Sequence, residues 1–278
     1  MYMGDTQADS NTILVIGGTG KTGRRVAERL AERGLPVRVG SRAGSPPFDW
    51  ADQDTFAAAV DGVRSAYVSY HPDLAFPGAV ESIRMLCKTA VASGVERLVL
   101  LSGRGEEEAE ECEHVVRDCG AQWTILRSAW FAQNFSENFL LEAVLAGEIA
   151  LPAGDMVEPF LDIEDLAEIA VDALLGDDHV GVVYDLTGPR LLSFAEAAAE
   201  IAKATGRDIA YVPVSHEQYA AALRERGLPE ALADLLRKVL DGRNAHLSDG
   251  VRRALGRPAK DFSDYVTDTA ATGVWTVN

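Results

Sequence analysis

Thr12-Ile13-Leu14-Val15-Ile16 is an unbroken apolar, β-branched run with no polar alternation, the pattern of a strand buried on both faces. A glycine cluster follows at once. From Lys21 to Arg33 the apolar positions Val26, Ala27, Leu30 and Ala31 recur at helical spacing, and Gly34 stands where a C-terminal cap belongs. Four more strands are predicted at Pro36–Gly40, Ala66–Ser69, Leu98–Leu101 and Trp123–Leu126. Between the third and fourth, Val80, Ile83, Leu86, Cys87 and Ala90 outline a helix that stops at Gly94. Strands alternating with helices at this spacing predict right-handed crossovers and a doubly wound parallel α/β sheet.

Beyond Arg127 the rhythm changes. Aromatic residues and Asn gather in Trp130-Phe131-Ala132-Gln133-Asn134-Phe135, and a short apolar segment surrounds Ile149-Ala150-Leu151. A helix over Ile163–Leu175 and a strand over Val182–Leu186 are expected to return to the sheet. The remainder, with a strand at Tyr211–Val214 and helices over Glu217–Arg226 and Pro229–Leu240, reads as a smaller C-terminal α/β lobe; the end of the chain from about Ala270 is weakly patterned. The expected division is a sheet domain over residues 12–150, completed by about 163–187, and a substrate lobe over 188–278 with contributions from 128–162. No linker separates them and no internal repeat is present.

Composition narrows the functional classes. The chain of 278 residues carries 26 Lys plus Arg against 43 Asp plus Glu, a formal charge of −17, which repels nucleic acid and anionic membranes unless a basic patch intervenes. None is present in the sequence. Three cysteines without a C-x-x-C spacing encode neither a disulfide framework nor a zinc site, and they point to reducing cytoplasm. Met1–Asn11 is polar and acidic, unlike a secretion signal, and no apolar stretch approaches a membrane span.

Gly17-Gly18-Thr19-Gly20-Lys21-Thr22-Gly23 falls between the first strand and the first helix. In this position one glycine permits the turn, another lets backbone amides approach a diphosphate, and the third lets helix and strand pack closely, with the anion on the positive end of the helix dipole. Dinucleotide binding is therefore expected of Gly17, Thr19, Gly20, Lys21, Thr22 and Gly23. Gly20-Lys21-Thr22 also ends like a nucleoside-triphosphate loop, but that loop requires glycine where Val15 stands. At the end of the second strand, Gly40-Ser41-Arg42 offers no carboxylate for free ribose hydroxyls and a guanidinium suited to a 2′-phosphate. Ser41 and Arg42 thus favour NADP(H) over NAD(H).

Taken with Phe48-Asp49-Trp50, Gly94-Val95-Glu96-Arg97-Leu98-Val99, Gly120-Ala121-Gln122-Trp123-Thr124-Ile125-Leu126-Arg127, Asp162-Ile163-Glu164-Asp165-Leu166-Ala167 and Tyr184-Asp185-Leu186-Thr187-Gly188-Pro189, these motifs resemble the NmrA-like branch of the atypical short-chain dehydrogenase/reductase superfamily over nearly the whole chain. The resemblance implies a Rossmann fold, NADP(H) at the sheet edge and substrate between the lobes. It puts Asp49 and Trp50 near the adenine, and Ser69, Tyr70 and His71 near the nicotinamide half. Typical members protonate substrate with a Tyr-x-x-x-Lys pair. Here no Tyr is followed four residues later by Lys; Gly105 and Ala109 occupy the aligned positions, and only a serine, Ser102, remains.

The catalytic candidates are therefore Ser102, His71 and Tyr70. Trp130, Phe131 and Asn134 are candidates for a flat apolar wall against a ring-shaped substrate, or for packing between lobes. Glu106, Glu107, Glu108, Glu110, Glu111 and Glu113 read as a solvated first helical turn. Cys112 and Cys119, seven apart, read as core or surface positions of one helix rather than a redox pair, and no metal is inferred. Two functions fit these residues. One is an NADPH-dependent oxidoreductase reducing a small carbonyl, quinone or imine-like acceptor; the other is a non-catalytic NADP(H) sensor acting through a regulatory protein partner. A sugar-nucleotide epimerase is a weaker third, since those enzymes keep the Tyr and Lys. A homodimer fits either of the first two.

Overall fold

A computed structural model describes residues 11–137, 139–228 and 231–277; Met1–Ser10 and Pro229, on which parts of the sequence reading fall, lie outside them. In chain order the elements are β1 (Thr12–Ile16), α1 (Lys21–Glu32), β2 (Val37–Gly40), α2 (Asp54–Val60), β3 (Val63–Val68), α3 (Ala79–Ala92), β4 (Arg97–Gly103), α4 (Glu107–Arg117) and β5 (Gln122–Ser128). There follow α5 (Asn134–Glu137), α6 (Leu140–Ala146), β6 (Glu148–Leu151), β7 (Val157–Glu158), α7 (Ile163–Leu175), β8 (Val182–Leu186) and β9 (Leu192–Ser193). The chain continues through α8 (Phe194–Thr205), β10 (Ala210–Pro213), α9 (His216–Glu225), α10 (Ala231–Val239), α11 (Gly250–Leu255) and α12 (Phe262–Ala271).

Six strands form the main sheet in the order β2-β1-β3-β4-β5-β8. Parallel registers join β1 to β2, β1 to β3 and β3 to β4. The strand order reverses at β1 and β3, and that switch point is where a doubly wound sheet opens a crevice beyond its carboxyl ends. Both faces are covered. Leu14, Ile16, Ala66, Val68, Leu98 and Leu100 share a core with residues of α2, α3 and α4, while the alternating Ile13, Val15, Tyr67 and Val99 are buried as well. This explains why β1 reads as a continuous apolar run.

Two compact units divide the chain. The first holds residues up to Ser102, Glu108–Leu126 and Ala167–Val183; the second holds Gly103–Glu107, Arg127–Leu166 and Tyr184 onwards. In the first, α1 buries Val26, Ala27 and Leu30 and closes on Gly34, which takes a left-handed φ of 73° and donates to Ala31 O at 2.9 Å. Arg97, nearly buried at the start of β4, donates to Gly176 O at 2.8 Å and to Gln122 Oε1 at 2.7 Å and pairs with Asp177. One guanidinium thereby holds the end of α7 against β4.

The second unit has its own core of Phe135, Phe160, Phe194, Phe262, Tyr265 and Trp275, with small sheets pairing β10 with β6 and β7 with β9. Tyr265 Oη donates to Ser136 Oγ at 2.8 Å and Trp275 Nε1 to Phe135 O at 2.9 Å, so these two buried aromatic side chains have their polar atoms satisfied.

Three sequence expectations need correction. Glu113 is fully buried, whereas the acidic run reads as solvated; it lies on the inner face of α4, where Ser102 and Arg117 bond to it. Cys119 does not share a helix with Cys112, because α4 ends at Arg117. The weakly patterned C-terminus is anchored, since α12 packs on α8 and Trp275 is 1% exposed. Its signal is a lone tryptophan without periodicity, which local pattern cannot detect. Replacing Trp275 by Ala should lower the unfolding free energy by about 3–5 kcal/mol in urea titrations; a loss below about 1 kcal/mol would contradict its place in the core.

Candidate functional site

The glycine loop is a contact of backbone on backbone. A Cβ on Gly23 would lie 2.3 Å from Gly17 O, and one on Gly18 would lie 2.9 Å from Val15 O. Gly17 has φ of 73°, and a Cβ there would meet the side chain of Ser69 at 3.2 Å. Its N–H donates to Gly40 O at 3.0 Å, and its carbonyl accepts from Gly20 N at 2.8 Å. The loop is thereby bonded to the end of β2 and lies close to Ser69, just past β3. Helix α1 begins at Lys21 with Gly20 as its N-cap, without a side-chain cap and without an acidic residue in its first turn. Its positive end is thus left to whatever anion the loop receives.

Thr19 and Gly20 are exposed at the rim, Lys21 is half-buried, and Thr22 is buried beneath it. Beyond β2, Ser41 O accepts from Gly44 N and Phe48 N, each at 2.9 Å, which closes a tight loop that leaves Arg42 exposed. Asp49 Oδ1 accepts from Ala51 N at 3.0 Å and shapes the following turn. That turn seats Trp50, whose ring lies 4.8 Å from Tyr70 and edge-on to Phe48 at 4.9 Å. Trp50 Nε1 donates to Ser69 O at 3.2 Å.

The first unit therefore brings the glycine loop, Ser69, Tyr70 and Trp50 together at the carboxyl ends of β1 and β3. The remaining candidates are placed differently. His71 is exposed in the loop after β3. Ser102, 3% exposed, donates its hydroxyl to Glu113 Oε1 at 2.7 Å. Trp130, Phe131 and Asn134 belong to the second unit. There Trp130 stands edge-on to Phe194 at 5.4 Å with its indole N–H buried and without a hydrogen-bond partner among the described residues, Phe131 bridges to Leu161, and Asn134 is buried at the start of α5.

Sequence reasoning missed a buried polar cluster in the second unit. Arg104, directly after β4 and 4% exposed, pairs with Asp185 through Nε at 2.5 Å and donates to His246 Nε2 at 2.7 Å, which makes that ring nitrogen an acceptor. Asn244 Nδ2 donates to Arg104 O at 3.2 Å. Nearby Glu158, 2% exposed on β7, is raised to about 7, mainly by burial and further by Asp241, with Arg104 opposing. The signal available in the sequence was a single acid inside Val157-Glu158-Pro159-Phe160; its partners come from distant segments. Among the described residues no group of His, Cys, Asp and Glu is arranged to hold a metal ion, and no helix is long and apolar enough to cross a membrane.

The fold, with a glycine loop between β1 and α1 at the switch point, is that of a dinucleotide-binding Rossmann protein. No family model matches the sequence. Curated relatives do. The chain is 32% identical to the uncharacterized oxidoreductase YesF of Bacillus subtilis, over 96% of this chain and 98% of the relative. It is 30% identical to an NAD(P)H azoreductase of Xenophilus azovorans, over 93% and 98%. Among solved structures it is similar to an NADPH-dependent quinone oxidoreductase of Escherichia coli complexed with NADPH, at 25% identity and a TM-score of 0.75 over 92% and 99%. Citrobacter triphenylmethane reductase complexed with NADP(H) shares the fold at 21% identity, with a TM-score of 0.74 over 93% and 99%. The chain belongs to the NmrA-like branch of the atypical short-chain dehydrogenase/reductases, a family of NAD(P)-binding oxidoreductases.

The ionisation of Glu158 has a measurable consequence. Its carboxyl binds a proton more tightly in the folded protein, at about 7, than at its ordinary 4.5. Across that window the folded state therefore holds more protons than the unfolded chain, and stability falls as pH rises. Comparing urea unfolding of the native protein and Glu158→Gln at either end of the window should reveal a pH-dependent difference of about 3 kcal/mol. Parallel pH profiles for the two proteins would contradict the burial of an ionisable carboxyl there.

Proposed function

We propose that the protein is an NADPH-dependent oxidoreductase that transfers hydride to a small quinone, carbonyl or imine-like acceptor. The observation that carries this reading is the cradle of Gly17, Gly20 and Gly23 at the switch point, with Arg42 in place of an acidic residue after β2. Gly17, Thr19, Gly20, Lys21, Thr22 and Gly23 hold the diphosphate on the amino end of α1. Ser41 and Arg42 receive the 2′-phosphate, Asp49 and Trp50 the adenine side, and Ser69 the nicotinamide side. When bound, NADPH supplies a hydride and its electron pair.

Acid catalysis restricts the acceptor. No Tyr-x-x-x-Lys pair is present, and the Ser102 hydroxyl is committed to Glu113. Simple ketones need a proton delivered as their oxygen gains charge. Quinones delocalise that charge over a ring, and iminium-type acceptors become neutral amines on receiving hydride, so neither needs a strong acid at the reacting atom. Tyr70 or His71, after β3, provides the hydroxyl or imidazole that completes protonation.

The bond between Ser102 and Glu113 also supports a second reading, a redox sensor that binds NADP(H) and signals through a protein partner without turnover. NADPH absorbance followed against a panel of quinones, iminium dyes, aldehydes and ketones separates the two. Oxidation with quinones or iminium acceptors is expected; tight cofactor binding without turnover on any acceptor would establish the sensor instead. Arg42→Ala should weaken NADPH about 10- to 100-fold, the worth of a charge-assisted hydrogen bond, while leaving NADH unchanged. An equal loss for both cofactors, or for neither, would remove Arg42 from 2′-phosphate recognition.

A further inference from the structure

Helices α3 and α4 leave a groove of about 680 Å³ between them, away from the glycine cradle and unused by the reading above. Two of its lining residues are cysteines that are distant in sequence, Cys87 on α3 and Cys119 just past the end of α4. Both line the same groove, and Cys119 packs against the core cluster that holds Cys87. The two are differently exposed. Cys87 is 2% exposed, whereas Cys119 is half-buried and open to the groove. Arg84 and Lys88 of α3 line the same groove, as do Glu111 and His114 of α4 and Asp118 just after it.

We propose that Cys119 and Cys87 form a redox-active dithiol, with Cys119 the sulfur attacked by hydroperoxides and Cys87 the resolving thiol. The Cys119 thiolate attacks one peroxide oxygen. The O–O bond breaks, Cys119 becomes a sulfenic acid, and the departing oxygen takes a proton and leaves as water, or as an alcohol from an organic hydroperoxide. The Cys87 sulfur then attacks the sulfenic sulfur. An S–S bond forms, and the sulfenic oxygen leaves as water with the Cys87 proton. One peroxide has gained two electrons, both from the thiol pair, and an external dithiol restores the reduced state by exchange.

The local chemistry assigns these roles. Cys119 is lowered to about 6, chiefly because it accepts a hydrogen bond from the Cys87 thiol and also because of backbone N–H groups including that of Ala121; burial and Asp118 oppose this. Cys87 is pushed up by donating that bond and by burial. Cys112, fully buried on α4, is raised to about 12 by burial and by Glu111 and Glu113. It serves as an internal control, because it does not line the groove and it is Cys87, not Cys112, that acts on the Cys119 thiol.

The test treats the intact protein with one equivalent of hydrogen peroxide, counts thiols after denaturation and maps the peptides. The count should fall from the three free cysteines to one, with Cys87 and Cys119 in a single cross-linked peptide within one chain, and dithiothreitol should restore all three. Cys112→Ser should leave the reaction unchanged, and Cys119→Ser should slow thiol loss roughly tenfold or more. The proposal is overturned by a link through Cys112, by a link between chains, by Cys119 oxidised to sulfinic acid beside a reduced Cys87, or by three thiols surviving. Mapping the unmodified chain makes the outcome independent of how the variants fold.

Discussion

Everything in the first unit is organised around an absence of side chains where α1 meets the loop from β1. Gly23 approaches Gly17 so closely that a Cβ would lie within 2.3 Å of a carbonyl oxygen, a distance no side chain tolerates. That approach aims the amino end of α1 at the crevice between β1 and β3, and it leaves the helix dipole and first-turn amides to face a ligand. The surrounding contacts preserve the geometry. Gly17 bonds to the end of β2 and rests against Ser69 at the end of β3, so the loop cannot shift without disturbing the sheet.

The second unit is organised by aromatic packing and by buried charge. Phe135 and Phe160 stand 5.3–6.3 Å from each other's rings and from those of Phe194 and Phe262, in edge-on and tilted pairs. Against this apolar mass, Arg104 is buried only because Asp185, His246 and the Asn244 carbonyl meet its guanidinium. At Glu158 burial outweighs the attraction of Arg104, and the carboxyl holds its proton to about 7.

The parts legible in the sequence were those whose physics is local. Strand β1, helix α7 and strand β8 begin and end where pattern alone put them, because continuous apolar runs and helical periodicity report burial directly. The glycine loop was legible because its chemistry is contiguous. Glu113, Glu158, Arg104 and the Cys87–Cys119 pair were not. Glu158 owes its character mainly to burial and the others owe theirs to partners between 11 and 142 residues away, and an isolated Glu or Cys carries no sign of which neighbour the fold will supply. Ser102 illustrates both cases: its place at the end of β4 follows from pattern, whereas its bond to Glu113 depends on which face of α4 turns inward.

The claim on which the functional account rests is that the amino end of α1 is a diphosphate cradle, and calorimetric titration of NADPH into the folded protein tests it most directly. The account predicts saturable binding to the native chain and at least about tenfold weaker binding to Gly23→Ala, whose added methyl group must displace the loop. A folded native protein that binds neither NADPH nor NADH, or a folded Gly23→Ala variant that binds NADPH as tightly as the native chain, would contradict it.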